Sequence, residues 1–205
     1  EAVSVEIDRL GGFRVRADGR TVHATGVTVH GCITPDGRAI LYCTDDDLRP
    51  PEKNEAEIYS IDLASKRVTT LISGGVNTFP VMSPDGRKIA YRKIVGDMNS
   101  EVFVADADGR NPRNLTNHWS FEGWPAWSPD GRTIAYAGNR NNAGYQIFVM
   151  NADGSDVRLL AATEGRGTAP KWAPDGRSIF FTICHRSQDR RGCEIMLARM
   201  PDAVR

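Results

Sequence analysis

Four strings mark this chain at near-equal intervals: Thr34-Pro35-Asp36-Gly37-Arg38, Ser83-Pro84-Asp85-Gly86-Arg87, Ser128-Pro129-Asp130-Gly131-Arg132 and Ala173-Pro174-Asp175-Gly176-Arg177. Their prolines stand 49, 45 and 45 residues apart. Each string is a turn by its chemistry. Proline presets φ at the second turn position, aspartate suits the third, and glycine takes the left-handed conformation that other residues enter only at a cost. Gly37, Gly86, Gly131 and Gly176 are the glycines expected there. Outward from the turns the likeness continues. Ile40-Leu41-Tyr42, Ile89-Ala90-Tyr91, Ile134-Ala135-Tyr136 and Ile179-Phe180-Phe181 follow at one spacing. Glu57-Ile58-Tyr59-Ser60-Ile61-Asp62, Glu101-Val102-Phe103-Val104-Ala105-Asp106 and Gln146-Ile147-Phe148-Val149-Met150-Asn151 come next, with a degenerate copy at Glu194-Ile195-Met196-Leu197-Ala198. A second turn, such as Asn151-Ala152-Asp153-Gly154, leads into a fourth apolar segment.

Each unit therefore reads as four short strands joined by tight turns. The third strand is apolar on both faces, so it needs cover on both sides, as in a sheet held between sheets. No long segment carries a 3.6-residue period. The expected fold is all-β: a β-propeller built from about four 45-residue four-stranded blades. The repeats fall near residues 27–76, 77–122, 123–167 and 168–200, within a single domain spanning 1–205, and the last repeat has only three strands. Residues 1–26 lack the turn string and form a partial blade or a closing strand. Ser4-Val5-Glu6-Ile7-Asp8 and Phe13-Arg14-Val15-Arg16 suit the last two strands of a preceding blade. Residues 3–8 are also expected to pair with residues 193–198, closing the ring within the chain or in a neighbouring copy. The other expectation is an incomplete ring, completed by a partner chain or left with edges that invite self-association.

The string Trp127-Ser128-Pro129-Asp130-Gly131-Arg132, with Ile134-Ala135-Tyr136 and then Ile147 to Gly154, resembles the WD-like repeat of the TolB family of β-propellers. The resemblance covers about residues 27–200. It is specific for fold and not for activity. Such blades also occur in propeller domains of prolyl-oligopeptidase-like peptidases, in oligogalacturonate lyases and in sensory or surface proteins.

Composition narrows the function. The chain has 205 residues, 40% hydrophobic and 25% charged, as in an ordinary soluble globular protein with a sizeable core. Lys plus Arg and Asp plus Glu are 26 each, which argues against nucleic-acid binding through a general positive field. No apolar run approaches 18 residues, so no transmembrane helix is expected. The chain opens Glu1-Ala2-Val3-Ser4, so any targeting segment is not visible in it.

Antiparallel meanders alternate direction, so the Pro-Asp-Gly and Ala-Asp-Gly turns share one rim. The opposite rim carries the loops that vary between repeats, and variable loops on a rigid scaffold are where binding residues gather. The candidates for partner contact are Asp45, Asp46 and Asp47, His118, Trp119 and Phe121, Arg140, and His185, Arg186, Arg190 and Arg191. Trp119 is the expected exposed ring, while Trp124 suits the start of a strand. The plainer alternative is that these are solvated loops. The aspartate run is expected to be solvated rather than cation-binding. Asp106-x-Asp108-Gly109 starts like a calcium loop, but Asn117 stands where the acidic twelfth ligand belongs. No histidine pair has metal spacing, and no Gly-x-Ser-x-Gly elbow or phosphate cradle occurs. No metal, cofactor or catalytic residue is therefore expected.

Cys184 and Cys193 align with the two ends of one hairpin loop, a placement that permits a disulfide; reduced thiols are the alternative. Cys32 and Cys43 are expected to be free and buried. The leading functional expectation is a non-enzymatic protein-binding scaffold working in a periplasm or outside the cell. The alternatives are an accessory propeller of a peptidase and a carbohydrate-active, lyase-like propeller. The metal-bearing histidine cluster of such lyases has no match here.

Overall fold

The computed structural model describes residues 3–7, 13–17, 20–24, 31–43, 55–96, 99–140, 144–186 and 191–201, and all regular structure among them is β. The first repeat forms β4 (Gly31–Ile33), β5 (Ala39–Cys43), β6 (Ile58–Asp62) and β7 (Val68–Ile72), paired in that order. The second forms β8 (Asn77–Met82), β9 (Lys88–Gly96), β10 (Asn99–Asp106) and β11 (Arg113–Asn114). The third forms β12 (Glu122–Trp127), β13 (Thr133–Gly138), β14 (Gln146–Asn151) and β15 (Arg158–Ala161). The fourth has three strands, β16 (Arg166–Trp172), β17 (Ser178–Arg186) and β18 (Arg191–Arg199).

The N-terminal residues form their own sheet of β1 (Val3–Ile7), β2 (Phe13–Ala17) and β3 (Arg20–Ala24). This corrects the expected closure. Residues 3–7 pair with β2, from Val3 opposite Ala17 to Ile7 opposite Phe13, and not with β18. Closing a short local hairpin costs less chain entropy than pairing the two ends of the chain. Residues 4–7 and 13–16 do form paired strands, but β3 follows them in the same sheet, so they are not its last two strands. The Asp18-Gly19 pair is the sequence signal that announces β3.

The described sheets are open rather than closed. Among the described residues β18 pairs only with β17. The far face of the last sheet is bare, with Ile195 79% exposed and Phe180 and Leu197 also exposed. Their counterparts one repeat earlier, Ile147, Ala135 and Val149, are buried under the fourth sheet. The same alternation therefore fills a core wherever a following sheet is present.

The core lies between sheets. Ala90, Val102 and Val104 of the second sheet pack against Trp127, Ile134, Tyr136 and Phe148 of the third. Leu41, Cys43 and Ile58 pack against Ile89, Tyr91 and Ala105. An indole staple repeats with the period. Trp127 Nε1–H donates to the Val81 carbonyl at 3.3 Å, and Trp172 Nε1–H to the Ala126 carbonyl at 3.1 Å.

The turns follow their chemistry. Gly37, Gly86, Gly131 and Gly176 have φ between 67° and 71°. In the third turn Ser128 Oγ donates to Asp130 Oδ1 at 2.6 Å, Arg132 N donates to the same oxygen at 3.0 Å, and Thr133 N donates to Ser128 Oγ at 2.9 Å. The hydroxyl at the turn's first position holds Asp36, Asp85 and Asp130 below the ordinary carboxylate range. A carboxylate with a lowered folded pKa stabilises above its unfolded value, and that contribution is lost as pH falls through the folded one. Melting temperature should therefore drop as pH falls below about 4. An Asp85→Asn/Asp130→Asn variant should start lower at pH 7 and show a shallower drop; an unchanged slope would remove the turn carboxylates from the account.

Candidate functional site

The first strands β4, β8, β12 and β16 lie side by side around a narrow 70 Å³ cavity that Gly31, Pro80, Pro125 and Pro170 help to line. Each of the last three strands slips register once against its partner, at 78/81, 123/126 and 168/171. At the slips Phe79, Trp124 and Ala169 have φ of 57°, 52° and 52°, and a proline follows each. A following proline disfavours the right-handed helical region, and a non-glycine residue at positive φ costs roughly 1–3 kcal/mol. Recurrence at the repeat period marks the bulge as a designed feature that re-aims a side chain.

The bulges bring Phe79 and Trp124 together, ring centres 5.1 Å apart, and Tyr145 meets Trp124 edge-on at 5.5 Å. Two arginines lie over these rings. The Arg92 guanidinium carbon is 4.7 Å from the Phe79 centroid and 5.9 Å from that of Trp124. The Arg166 carbon is 4.6 Å from Tyr145 and 5.8 Å from Trp124. Arg92 Nε donates to Thr78 Oγ1 at 2.9 Å. Gly123 makes room for Arg92, since a Cβ there would stand 2.7 Å from its Cδ. Burial pulls the Arg92 pKa below the ordinary arginine value, and the nearby Arg166 charge adds to that shift. Among the described residues no carboxylate oxygen lies within 4.0 Å of either guanidinium.

The neighbouring loop is fixed from below. The buried Glu101 carboxylate accepts from His118 N at 2.8 Å and from the Thr116 hydroxyl, which itself accepts from Val102 N at 3.0 Å. Desolvation pushes the Glu101 carboxyl above the ordinary range, and the Thr116 and His118 hydrogen bonds oppose it. His118 Nδ1 lies 2.8 Å from Ser120 Oγ, and its half-buried ring is 5.4 Å from that of Trp119. Trp119 itself is 62% exposed. Phe121 is half-buried, and its carbonyl accepts from Asn139 N at 3.0 Å.

Arg140 sits under this region. Its Nε donates to Glu122 Oε1 at 2.5 Å and its Nη2 to Oε2 at 3.3 Å. Its guanidinium carbon is 5.6 Å from the Phe148 centroid. Arg140 is therefore committed to a buried carboxylate and positions the rim rather than reaching out from it. Sequence reasoning does not bring Phe79, Arg92, Tyr145 and Arg166 together, and for Trp124, one of the aromatic residues of the 116–124 loop, it weighs recognition against packing at the start of a strand. The signal that could have found the cluster is the X-Pro step repeated at 79–80, 124–125 and 169–170.

The TolB beta propeller domain family matches residues 33–201. The chain belongs to that family. TolB from Acinetobacter baumannii is similar in structure, with a TM-score of 0.73 and 19% identity over 96% of this chain and 51% of that one. The Agrobacterium tumefaciens protein assigned as a TolB has a TM-score of 0.66 and 25% identity over 90% of this chain and 65% of that one. The chain thus spans between half and two-thirds of the TolB structures it matches. The propeller domain of the Trilobed protease from Pyrococcus furiosus, described as having an open velcro topology, has a TM-score of 0.57 and 18% identity over 83% of this chain and 54% of that one. The first and last of these likenesses, at 19% and 18% identity, concern fold alone.

In this TolB-family propeller Cys184 and Cys193 are joined, with Cα atoms 4.1 Å apart across β17 and β18. The hairpin runs past them, with half-buried His185 opposite Gly192 and Arg186 opposite Arg191. Eight residues, 185–192, separate the two cysteines. Arg190 and the Asp45, Asp46 and Asp47 run lie outside the described residues. Neither half-buried Cys32 nor buried Cys43 is in a disulfide, and burial raises the Cys32 thiol pKa. A Cys184→Ser/Cys193→Ser variant should lose about 2–3 kcal/mol by the loop-entropy estimate for so short a loop. Denaturant unfolding measures this; an unchanged midpoint would mean that the strand ladder alone holds the hairpin.

The turn rim of this TolB-family chain carries a larger cleft, 830 Å³, between the second and third sheets. Its carboxylates are already engaged. Asp85 and Asp130 hold their own turns, and Asp106 bonds to Lys88 Nζ at 2.6 Å and to Asn111 Nδ2 at 2.6 Å. Among the described residues no group of three His, Cys, Asp or Glu side chains is placed to hold a metal, and no helix is long and apolar enough to cross a membrane.

Proposed function

We propose that this propeller is a non-enzymatic scaffold that binds a protein partner across its loop rim. The observation that carries the reading is the exposed Trp119 ring on a loop fixed by the buried Glu101 carboxylate. A large ring held in place in advance loses little entropy when covered, which is how interface anchors work. The neighbouring arginine–aromatic cluster extends the same surface. The turn rim is the weaker candidate, because its carboxylates serve the turns and the Lys88 pair. The scaffold uses no metal or cofactor, and its balanced charge disfavours nucleic acid. The bare face of the last sheet offers a place for self-association. The disulfide supports a working place in a periplasm or outside the cell.

Two experiments test this reading. Trp119→Ala should weaken retention of a bound protein partner at least about tenfold, while Lys88→Ala on the turn rim should not. Equal retention by both variants would move the site off the loop rim. Thiol labelling of the unreduced, denatured protein should find two reactive cysteines, Cys32 and Cys43, out of four. Four would overturn the assignment to an oxidising compartment.

A further inference from the structure

Resting on the protein-binding reading of this rim, we infer that Arg92 and Arg166 form a carboxylate-binding clamp at the end of the central cavity, with Trp124 as its shared wall. Three observations converge on it. First, both guanidinium carbons lie within 5.9 Å of one Trp124 centroid, and each also stacks on a second ring, Phe79 or Tyr145. A guanidinium over a ring face keeps N–H groups for a carboxylate, which accepts two parallel hydrogen bonds from them; in Arg92 these are the Nη groups, since Nε donates to Thr78. Second, the cations are unanswered: among the described residues neither has a carboxylate within 4.0 Å. Elsewhere on the same rim, Glu122 neutralises the comparable Arg140. Third, the cluster is assembled at a structural cost. Phe79 and Trp124 are both at positive φ, and Gly123 leaves the space that the Arg92 stem occupies.

Two like charges held near one another on apolar rings repel, and an anion between them relieves that repulsion. The half-buried position of Arg92 strengthens the gain, because water screens it less. Arg166 is exposed and forms the open side of the clamp. The clamp takes a carboxylate of a protein partner, supplied either by an acidic side chain or by a chain terminus. Trp119, on the neighbouring loop, then anchors an adjacent apolar part of the same partner.

The test uses the whole chain and four probes, followed by calorimetry and tryptophan fluorescence. They are a short peptide with two glutamates and both ends blocked, a neutral peptide with a free C-terminal carboxylate, the same neutral peptide amidated, and a short single-stranded DNA. One or both carboxylate peptides should bind more tightly than the amidated one, and which of them binds separates side-chain from terminal recognition. Arg166→Gln should weaken that binding about tenfold or more, and Arg166→Lys should recover part of it. Arg92→Gln should act in the same direction; if it fails to fold, the exposed Arg166 variants carry the test. The inference is overturned if neither carboxylate peptide outbinds the amidated control, if Arg166→Gln changes nothing, or if the DNA binds more tightly than both peptides. If the clamp fails while Trp119-dependent partner retention persists, the anion site alone falls. If carboxylate binding holds while Trp119→Ala retains partner normally, the clamp stands and the protein-binding reading of the loop falls.

Discussion

Gly109→Ala should be among the most damaging single-atom additions to this protein. Gly109 closes the Asp106-Ala107-Asp108-Gly109 turn with φ of 83°, which already disfavours any side chain. The larger obstacle is the adjacent sheet. A Cβ at Gly109 would stand 1.8 Å from the Leu71 carbonyl oxygen and 2.6 Å from its carbon. Leu71 belongs to β7, so the obstacle is strand backbone and cannot turn aside. Gly154 meets Leu115 in the same way one repeat later, at 2.9 Å. These second-turn glycines therefore let each sheet close on the one before it. Strain and forced separation together should cost about 3 kcal/mol or more, a fall in Tm of roughly 6–12 °C for a domain of this size. Gly131→Ala is the control. Its φ is 69°, but the nearest atom is Pro84 Cδ at 3.7 Å, so only about 1 kcal/mol should be lost. Calorimetry on the two variants decides; equal Tm values would mean that the sheets do not approach through the second turn.

The second large effect belongs to Glu122. Its carboxylate is fully buried and bonded to Arg140, whose side chain is 19% exposed. Glu122→Leu leaves a stacked, half-buried guanidinium without its counter-charge. Breaking a buried pair from one side costs about 3–5 kcal/mol, and the partial exposure of Arg140 places this case near the lower end. Removing both charges, in Glu122→Leu/Arg140→Leu, should restore much of the loss, because no uncompensated charge remains. A double-mutant cycle in denaturant measures this directly. If the double variant is as unstable as the sum of the singles, the pair is not coupled.

Much of the scaffold was legible because its determinants are local. The turn at Ser128-Pro129-Asp130-Gly131 needs only its own residues, and one periodic string predicts four sheets in series. The candidate disulfide was legible for the same reason, since two cysteines flank one hairpin. The site was far less legible. Trp119 could be recognised as an exposed ring in a polar loop. Arg140, however, was read as a loop contact, because nothing near it in sequence reveals that Glu122 waits underneath. Arg92, Trp124, Tyr145 and Arg166 come from three sheets, and the repeated X-Pro step is the one local trace of the bulges beside which they meet. The N-terminal residues show the opposite error. A missing strand in the last repeat suggested a long-range closure, and the adjacent β2 took the partner role instead.

The central claim is that a protein partner binds the loop rim. Hydrogen exchange of the chain with and without its captured partner tests it most directly. The account predicts slowed exchange over residues 116–124 and at the starts of β12 and β16, with the turns at 84–87, 107–110 and 129–132 unchanged. Protection confined to those turns, with residues 116–124 exchanging as in the free chain, would contradict it.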